Sequence, residues 1–242
     1  FTRRLFENAA ITPGMRVLDV GTGMGDTALL LAEMVGPEGT VLGVDKNADI
    51  LAQAQQRMPA NVTLRAGDIR DIEIDEEFDA IVGRCVLQYQ QDPAATIASA
   101  IRTLRPGGIV AFLEPDFTTA SGVGVPQPPL LIKVRDIFIE TWRRAKIELH
   151  MGFKLRQTFL AAGLPEPQLQ VDAPIGGGKG WAGYHNMEAI MRSMLPYIES
   201  LGVATAEEIE VDTLAARMEA EVVALNSTIM TSMWIGAWAR KP

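Results

Sequence analysis

Val17-Leu18-Asp19-Val20-Gly21-Thr22-Gly23-Met24-Gly25-Asp26 is an apolar run carrying one acid, followed by three alternate glycines and then a helical pattern. Glycines at such a turn let the backbone take positive φ and let a ligand approach where a Cβ would stand. The helix that follows offers unpaired N–H groups and the positive end of its dipole. A dinucleotide fingerprint G-x-G-x-x-G needs its third glycine for close helix–strand packing. Counted from Gly21, that third position is Asp26, so the fingerprint fails.

Around this turn the first half alternates short apolar runs with helical patterns. Strands are expected at Arg16–Val20, Thr40–Val44, Val62–Ala66, Phe78–Val82 and Ile109–Leu113, and helices over Met24–Val35, Ala48–Met58 and Pro93–Leu104. This alternation implies a doubly wound α/β fold, a mostly parallel sheet with helices on both faces. In such sheets ligands sit beyond the carboxyl ends of the strands, at the switch in strand order. Asp45 follows the second strand, where a carboxylate can accept two ribose hydroxyls or cap the next helix. Gly67-Asp68-Ile69 follows the third strand, and Gly83-Arg84-Cys85-Val86-Leu87-Gln88-Tyr89 the fourth.

Composition narrows the function classes. The 242 residues are 48% hydrophobic and 21% charged, which suits one globular domain with a real core. A net charge of −8 argues against nucleic acid as the main partner. The single cysteine, Cys85, allows no intrachain disulfide and suits a reducing cytoplasm; without a paired histidine it reads as a structural thiol. No apolar run is long enough for a membrane span, no signal-peptide pattern appears, and no His/Cys/Asp spacing suggests a metal. The chain opens at Phe1, not Met, which points to a segment preceding it.

The order D-x-G-x-G-x-G from Asp19 to Gly25, then Asp45, Gly67-Asp68-Ile69 and Leu104-Arg105-Pro106-Gly107-Gly108 resembles the class I S-adenosylmethionine-dependent methyltransferases. The last landmark is also found in the family's quinone-biosynthesis type. The resemblance, strong over about residues 5–115, implies a seven-stranded Rossmann-like sheet with an antiparallel last strand and S-adenosylmethionine as cofactor. It implies a cofactor site of Asp19, Gly21, Thr22, Gly23, Gly25, Asp45, Lys46, Gly67, Asp68, Ile69, Arg84 and Gln88. In that family the glycine turn lies against the methionine and ribose, the acid at Asp68 takes the adenine amino group, and Ile69 packs on the ring. Many relatives carry His where Gln88 or Tyr89 stands, a departure in this chain.

The second half is expected to carry the acceptor. Helical segments at about 117–150 and 174–225 would cap the cofactor core of 5–116, all as one methyltransferase domain. Within them, helices are expected from about Leu130 to Leu149, near Asn186–Leu201 and near Ala206–Ala224, with Thr205 as N-cap. Phe153–Ala162, stopped by Gly163, is the helix before a sixth strand at Gln168–Asp172. A last strand over Ser227–Ala239 would pair with 165–173 as a hairpin. Gly176–Gly180 lacks the ending of a phosphate loop and reads as a hinge.

Methyl transfer needs alignment and a dry pocket, and carbon or oxygen acceptors often need a base as well. His150, His185 and Glu114 are the candidate bases, with Asp116 a rival; each has a plain reading as a cap or surface group. Tyr89, Phe117, Trp142, Trp181 and Tyr184 would line an apolar or aromatic small-molecule site, or simply pack helices. A cofactor-binding regulator, or a non-methylating enzyme on the same fold, is the alternative. A nicotinamide-dependent reductase is disfavoured by Asp26 and by Pro93, Glu188 and Leu201 at the positions four after each tyrosine.

Overall fold

The computed structural model describes residues 1–118 and 123–242. Residues 119–122, inside the cap segment expected at about 117–150, therefore lie outside the described residues. Strands are β1 (Arg16–Val20), β2 (Thr40–Asp45), β3 (Val62–Ala66), β4 (Phe78–Arg84), β5 (Leu104–Asp116), β6 (Val123–Val125), β7 (Gln168–Asp172), β8 (Ile175–Gly176), β9 (Thr228–Met230) and β10 (Met233–Arg240). Helices are α1 (Thr2–Asn8), α2 (Asp26–Val35), α3 (Ala48–Gln55), α4 (Pro93–Ala100), α5 (Pro129–Ala145), α6 (Met151–Ala161), α7 (Gly183–Ser200), α8 (Ala206–Ile209) and α9 (Leu214–Ala224). No helix among the described residues is long and apolar enough to cross a membrane.

The chain gathers into two compact units. The first comprises Phe1–Glu114, Met151–Val171 and Trp234–Pro242; the second comprises Pro115–His150 and Asp172–Met233. The seven-stranded sheet runs β3-β2-β1-β4-β5-β10-β7. The pairs among its first five strands are all parallel. The N-terminal part of β5 meets the C-terminal end of β10 through Gly107 N–H to Lys241 O and Lys241 N–H to Gly108 O, each 2.9 Å, so β10 runs antiparallel. The chain moves outward from β1 to β3 and then returns to the other side of β1 with β4. The switch in strand order thus falls between β1 and β4.

Period-two alternation places Leu18 and Val20 in a core with Ile97, Phe112, Leu155 and Phe159. Val17 packs on the opposite side with Leu5, Phe6, Leu31 and Val35. Asp19 shares the side of Val17, at the last turnings of β1 before the glycines.

Several boundaries differ from the sequence reading. Helix α2 begins at Asp26, because Gly25 takes a left-handed φ of 81° as its N-cap. Strand β5 begins at Leu104, and Pro106-Gly107-Gly108 lies inside it as an irregularity: Phe78 pairs with Leu104 but Ala80 with Ile109. One β4 residue, Asp79, faces the bulged segment and pins it, accepting from Arg105 Nε at 2.6 Å and Arg16 N–H at 2.9 Å.

The second unit departs further. Residues 227–239 are two strands: Thr231 N–H to the Pro174 carbonyl extends the β8–β9 register by one step, and the next strand begins at Met233. Strand β9 joins a separate three-stranded sheet, β6-β9-β8, that the sequence reading lacked. The expected helix over 206–224 breaks at Glu210, whose φ is 49°. Thr205 does cap its first turn, in a capping box with Glu208.

Candidate functional site

In the first unit the sequence-predicted residues gather at the carboxyl ends of β1, β2, β3 and β4. The glycine turn keeps its shape through positive φ at Gly21, Gly23 and Gly25 (70°, 51° and 81°). A Cβ on Gly21 would stand 2.4 Å from Val86 Cγ2, whereas one on Gly23 would meet nothing within 4 Å. Gly21 is therefore glycine for packing as well as conformation, and Gly23 faces open space.

Asp19 is 1% exposed and neither carboxylate oxygen has a hydrogen-bond partner. Burial pushes its pKa from 3.8 to about 7; the Thr22 hydroxyl and Arg84 offset part of this, while Asp45 adds to it. The Thr22 hydroxyl is close enough to act on the carboxyl, yet it too makes no bond of good geometry. Gln88, 4% exposed, leaves Oε1 unpartnered, as Arg84 does Nε. Orphaned buried polar atoms are rare in folded proteins, and here four residues around the switch between β1 and β4 carry them.

Asp45 is prepared differently. One carboxylate oxygen accepts from Gly23 N–H and the other from Asn47 N–H, each at 2.9 Å. Each oxygen retains a lone pair for a further donor. The helix-capping role that the sequence left open for Asp45 belongs to Asn47, whose side chain accepts from Asp49 and Ile50 N–H. At the end of β3, Asp68 is held by Arg70 Nη2 at 2.6 Å and Lys46 Nζ at 2.9 Å. Arg70 keeps the Asp68 carboxyl well below the ordinary carboxylate range, with Lys46 adding to the effect. Ile69 is buried, and Gly67 is extended, its absent Cβ leaving room for Ile72.

The segment after β4 turns sharply. Cys85 has a φ of 54°, and burial pushes its thiol up to about 12, which makes it inert at neutral pH. A 3₁₀ turn, Leu87–Tyr89, follows and leaves Tyr89 exposed. Glu114, fully buried near the end of β5, accepts from Val86 N–H at 2.9 Å, Leu87 N–H at 2.8 Å and Gln88 N–H at 3.4 Å. Burial raises its pKa to about 7 against the pull of those three donors. The Arg84 guanidinium lies over the Trp234 ring at 5.4 Å.

In the second unit, His150 Nδ1 lies 2.9 Å from the Thr118 hydroxyl and 3.9 Å from Asp116 Oδ1. Asp116 is fully buried and also accepts Thr118 N–H at 2.8 Å. His185 lies exposed on α7. Phe117, Phe138 and Trp142 form a run of rings with centroids 4.7 and 4.5 Å apart, and Trp181 meets Tyr184 edge-on. Phe117, Trp142 and Tyr184 are core residues of this unit, with Trp181 packed against them. The indole N–H of Trp142 and the hydroxyl of Tyr184 have no partner.

Two participants and one role escaped the sequence reading. Arg70 was signalled only by its spacing two after Asp68, and Trp234 by nothing local. The binding of Glu114 to residues 86–88 depends on β4 and β5 being neighbours, which no spacing in the chain discloses.

Comparisons with known proteins agree with this geometry. A family model described as a methyltransferase domain matches residues 11–146, more than half of the chain. An arsenite methyltransferase of Aquipseudomonas alcaligenes is 38% identical over 117 residues, 43% of this chain and 34% of that protein. The chain spans about a third of the length of the arsenite methyltransferases it matches. A 2-phytyl-1,4-naphtoquinone methyltransferase of Synechococcus elongatus is 28% identical over 196 residues, covering 77% of this chain and 80% of that one. In fold, the chain is similar throughout to phosphoethanolamine N-methyltransferase 2 of Haemonchus contortus, crystallised in complex with S-adenosyl-L-methionine. That likeness has a TM-score of 0.60 at 20% identity and covers 52% of the nematode protein. Motif order, strand order and the family match converge, and the chain belongs to the class I S-adenosylmethionine-dependent methyltransferase family.

Proposed function

We propose that this chain binds S-adenosylmethionine at the carboxyl ends of β1–β4 and transfers its methyl group to an oxygen or carbon of a small apolar molecule. The observation that carries the reading is Asp19, a buried carboxylate with no partner beside three left-handed glycines. Such a group is costly unless a ligand meets it, and a cationic ammonium is its natural complement. Asp45, anchored by two backbone N–H groups, would take the ribose hydroxyls. Asp68 would share its carboxylate among Arg70, Lys46 and the adenine amino group, with Ile69 against the ring. Gly21, Thr22, Gly23, Gly25 and Gly67 would form the cradle, and Arg84 and Gln88 its edge. When bound, the cofactor supplies a methyl group already activated on a sulfonium. The chain's own residues then have to bind, orient and exclude water.

For the acceptor, the naphtoquinone methyltransferase match matters because it extends over most of both chains, beyond the cofactor half. In the second unit Phe117, Trp142, Trp181 and Tyr184 form an aromatic core whose Trp142 indole N–H and Tyr184 hydroxyl lack partners, chemistry suited to an aromatic acceptor. His150, oriented by Thr118 and backed by Asp116, is better equipped than His185 to take a proton from such an acceptor. The inert Cys85 thiol offers a soft arsenic(III) substrate little. A reducing cytoplasmic setting fits that lone thiol.

The test is calorimetric titration with S-adenosylhomocysteine and, separately, NADH, followed by transfer of labelled methyl from S-adenosylmethionine to a panel of hydroquinones and phenols. Binding of the homocysteine compound but not NADH is expected, with label in at least one aromatic acceptor. NADH binding without S-adenosylhomocysteine binding would overturn the proposal.

A further inference from the structure

We propose that Glu114 is a positioning residue for the cofactor site: its carboxylate fixes the turn after β4 and, through Val86, the glycine turn at Gly21. The inference rests on the cofactor reading above. Glu114 has no exposed surface, and its oxygens face the amides of Val86, Leu87 and Gln88. A carboxylate closing the start of a 3₁₀ turn acts as an anion does at a helix N-terminus. What it holds is consequential on two sides.

On one side stands Val86. Its side chain fills the space over Gly21 and also over Gly83, where a Cβ would come within 2.4 Å and 2.8 Å of it respectively. Val86 is thus a wedge between the glycine turn after β1 and the end of β4, and Glu114 grips its backbone. On the other side stands Gln88, whose buried Oε1 has no partner and whose amide Glu114 also holds. The preceding Cys85 adopts a left-handed φ of 54° without being glycine. Such a conformation persists only where the surroundings enforce it, and the three bonds to Glu114 are the enforcement. A group so enclosed has no access to an acceptor's proton, so the proposal assigns Glu114 to holding the site and not to base catalysis.

The experiment is calorimetric titration of S-adenosylhomocysteine into the wild type, Glu114→Gln, Val86→Ala and the double variant, with urea unfolding to show that each is folded. Gln keeps the shape but turns an amide nitrogen toward N–H donors. Glu114→Gln should bind about tenfold more weakly, the scale for leaving a buried donor unsatisfied, and Val86→Ala, which removes the wedge itself, by a similar factor. Because both act through one wedge, the double variant should lose little more than the weaker single variant. Wild-type affinity in folded Glu114→Gln, or losses that multiply in the double variant, would overturn the proposal. Should Glu114→Gln fail to fold, amide exchange on the wild type decides. Linkage requires S-adenosylhomocysteine to slow exchange at Val86 and Leu87; unchanged exchange in a protein that binds the compound refutes the relay. Failure of the wild type to bind it at all would instead remove the cofactor reading beneath it.

Discussion

Val86 sits over Gly21 so closely that a methyl group on the glycine would lie 2.4 Å from its Cγ2 and 2.8 Å from its Cβ. Gly21→Ala therefore meets both a clash and a φ of 70° that alanine resists. The variant should lose about 1–3 kcal/mol of stability, the cost of overpacking and local strain. Adding Val86→Ala should return part of that loss by removing the Cγ2 contact, but not the part due to φ or to the Cβ that alanine keeps. Urea midpoints of the two variants check this; identical midpoints would show that Val86 is not the obstacle.

Asp19 makes stability depend on pH in an unusual direction. Its carboxyl ionises near 3.8 when unfolded and near 7 when folded. Between those values the folded chain holds a proton that the unfolded chain has released, so its contribution to stability declines as pH rises through that window. Asp19→Asn cannot ionise and escapes the penalty. Relative to wild type it should be more stable at pH 8, by an amount on the order of a few kcal/mol, with the gap closing toward pH 4. The same variant should bind S-adenosylhomocysteine more weakly. A gap that stays constant between pH 4 and 8 would contradict the burial argument.

Asp45→Ala should weaken S-adenosylhomocysteine by about 1.5–3 kcal/mol, the range for a hydrogen bond to a charged group. Asp45→Asn should fall between, since its amide oxygen can still meet one donor. Calorimetry resolves the series, and unchanged affinity in the alanine variant would place the ribose elsewhere.

The Gly176–Gly180 run tests a different matter. A Cβ on Gly176 would lie 2.4 Å from the Trp181 ring, and one on Gly177 would stand 2.1 Å from the Ser227 carbonyl oxygen. Those two glycines are close-packing positions, whereas Gly178 and Gly180 have nothing near them. Gly176→Ala should cost about 1–3 kcal/mol and alter the near-ultraviolet dichroism of the tryptophans. Gly178→Ala should do neither. Equal tolerance at both positions would return the whole run to the hinge reading.

How much of this was legible beforehand varies with the range of the interaction. The glycine turn, Asp45 and Asp68 follow strands in sequence, so a local pattern locates them at the strand ends. Thr205 as an N-cap was likewise readable, because the donor it meets lies within one turn. The partners of Glu114 lie in the turn that follows a neighbouring strand, distant in sequence, so its environment emerges only from the sheet. The break between β9 and β10 was hidden for a related reason: residues 227–239 are uniformly compatible with strand, and only pairing partners decide that β9 and β10 join different sheets. Helix α2 started two residues late because Met24 suits a helix while Gly25 imposes a left-handed cap.

The order β5-β10-β7 has a consequence for how the first unit comes into being. The strand between β5 and β7 is the last made, since β10 comprises Met233–Arg240. Until it emerges from the ribosome, β5 presents an open flank of unpaired N–H and C=O groups, and β7 has no neighbour to join. Pairings so remote in sequence form slowly, and exposed flanks invite misassociation meanwhile. A nascent chain halted at Ser232 would hold five parallel strands and their cofactor loops while lacking the strand that seals them.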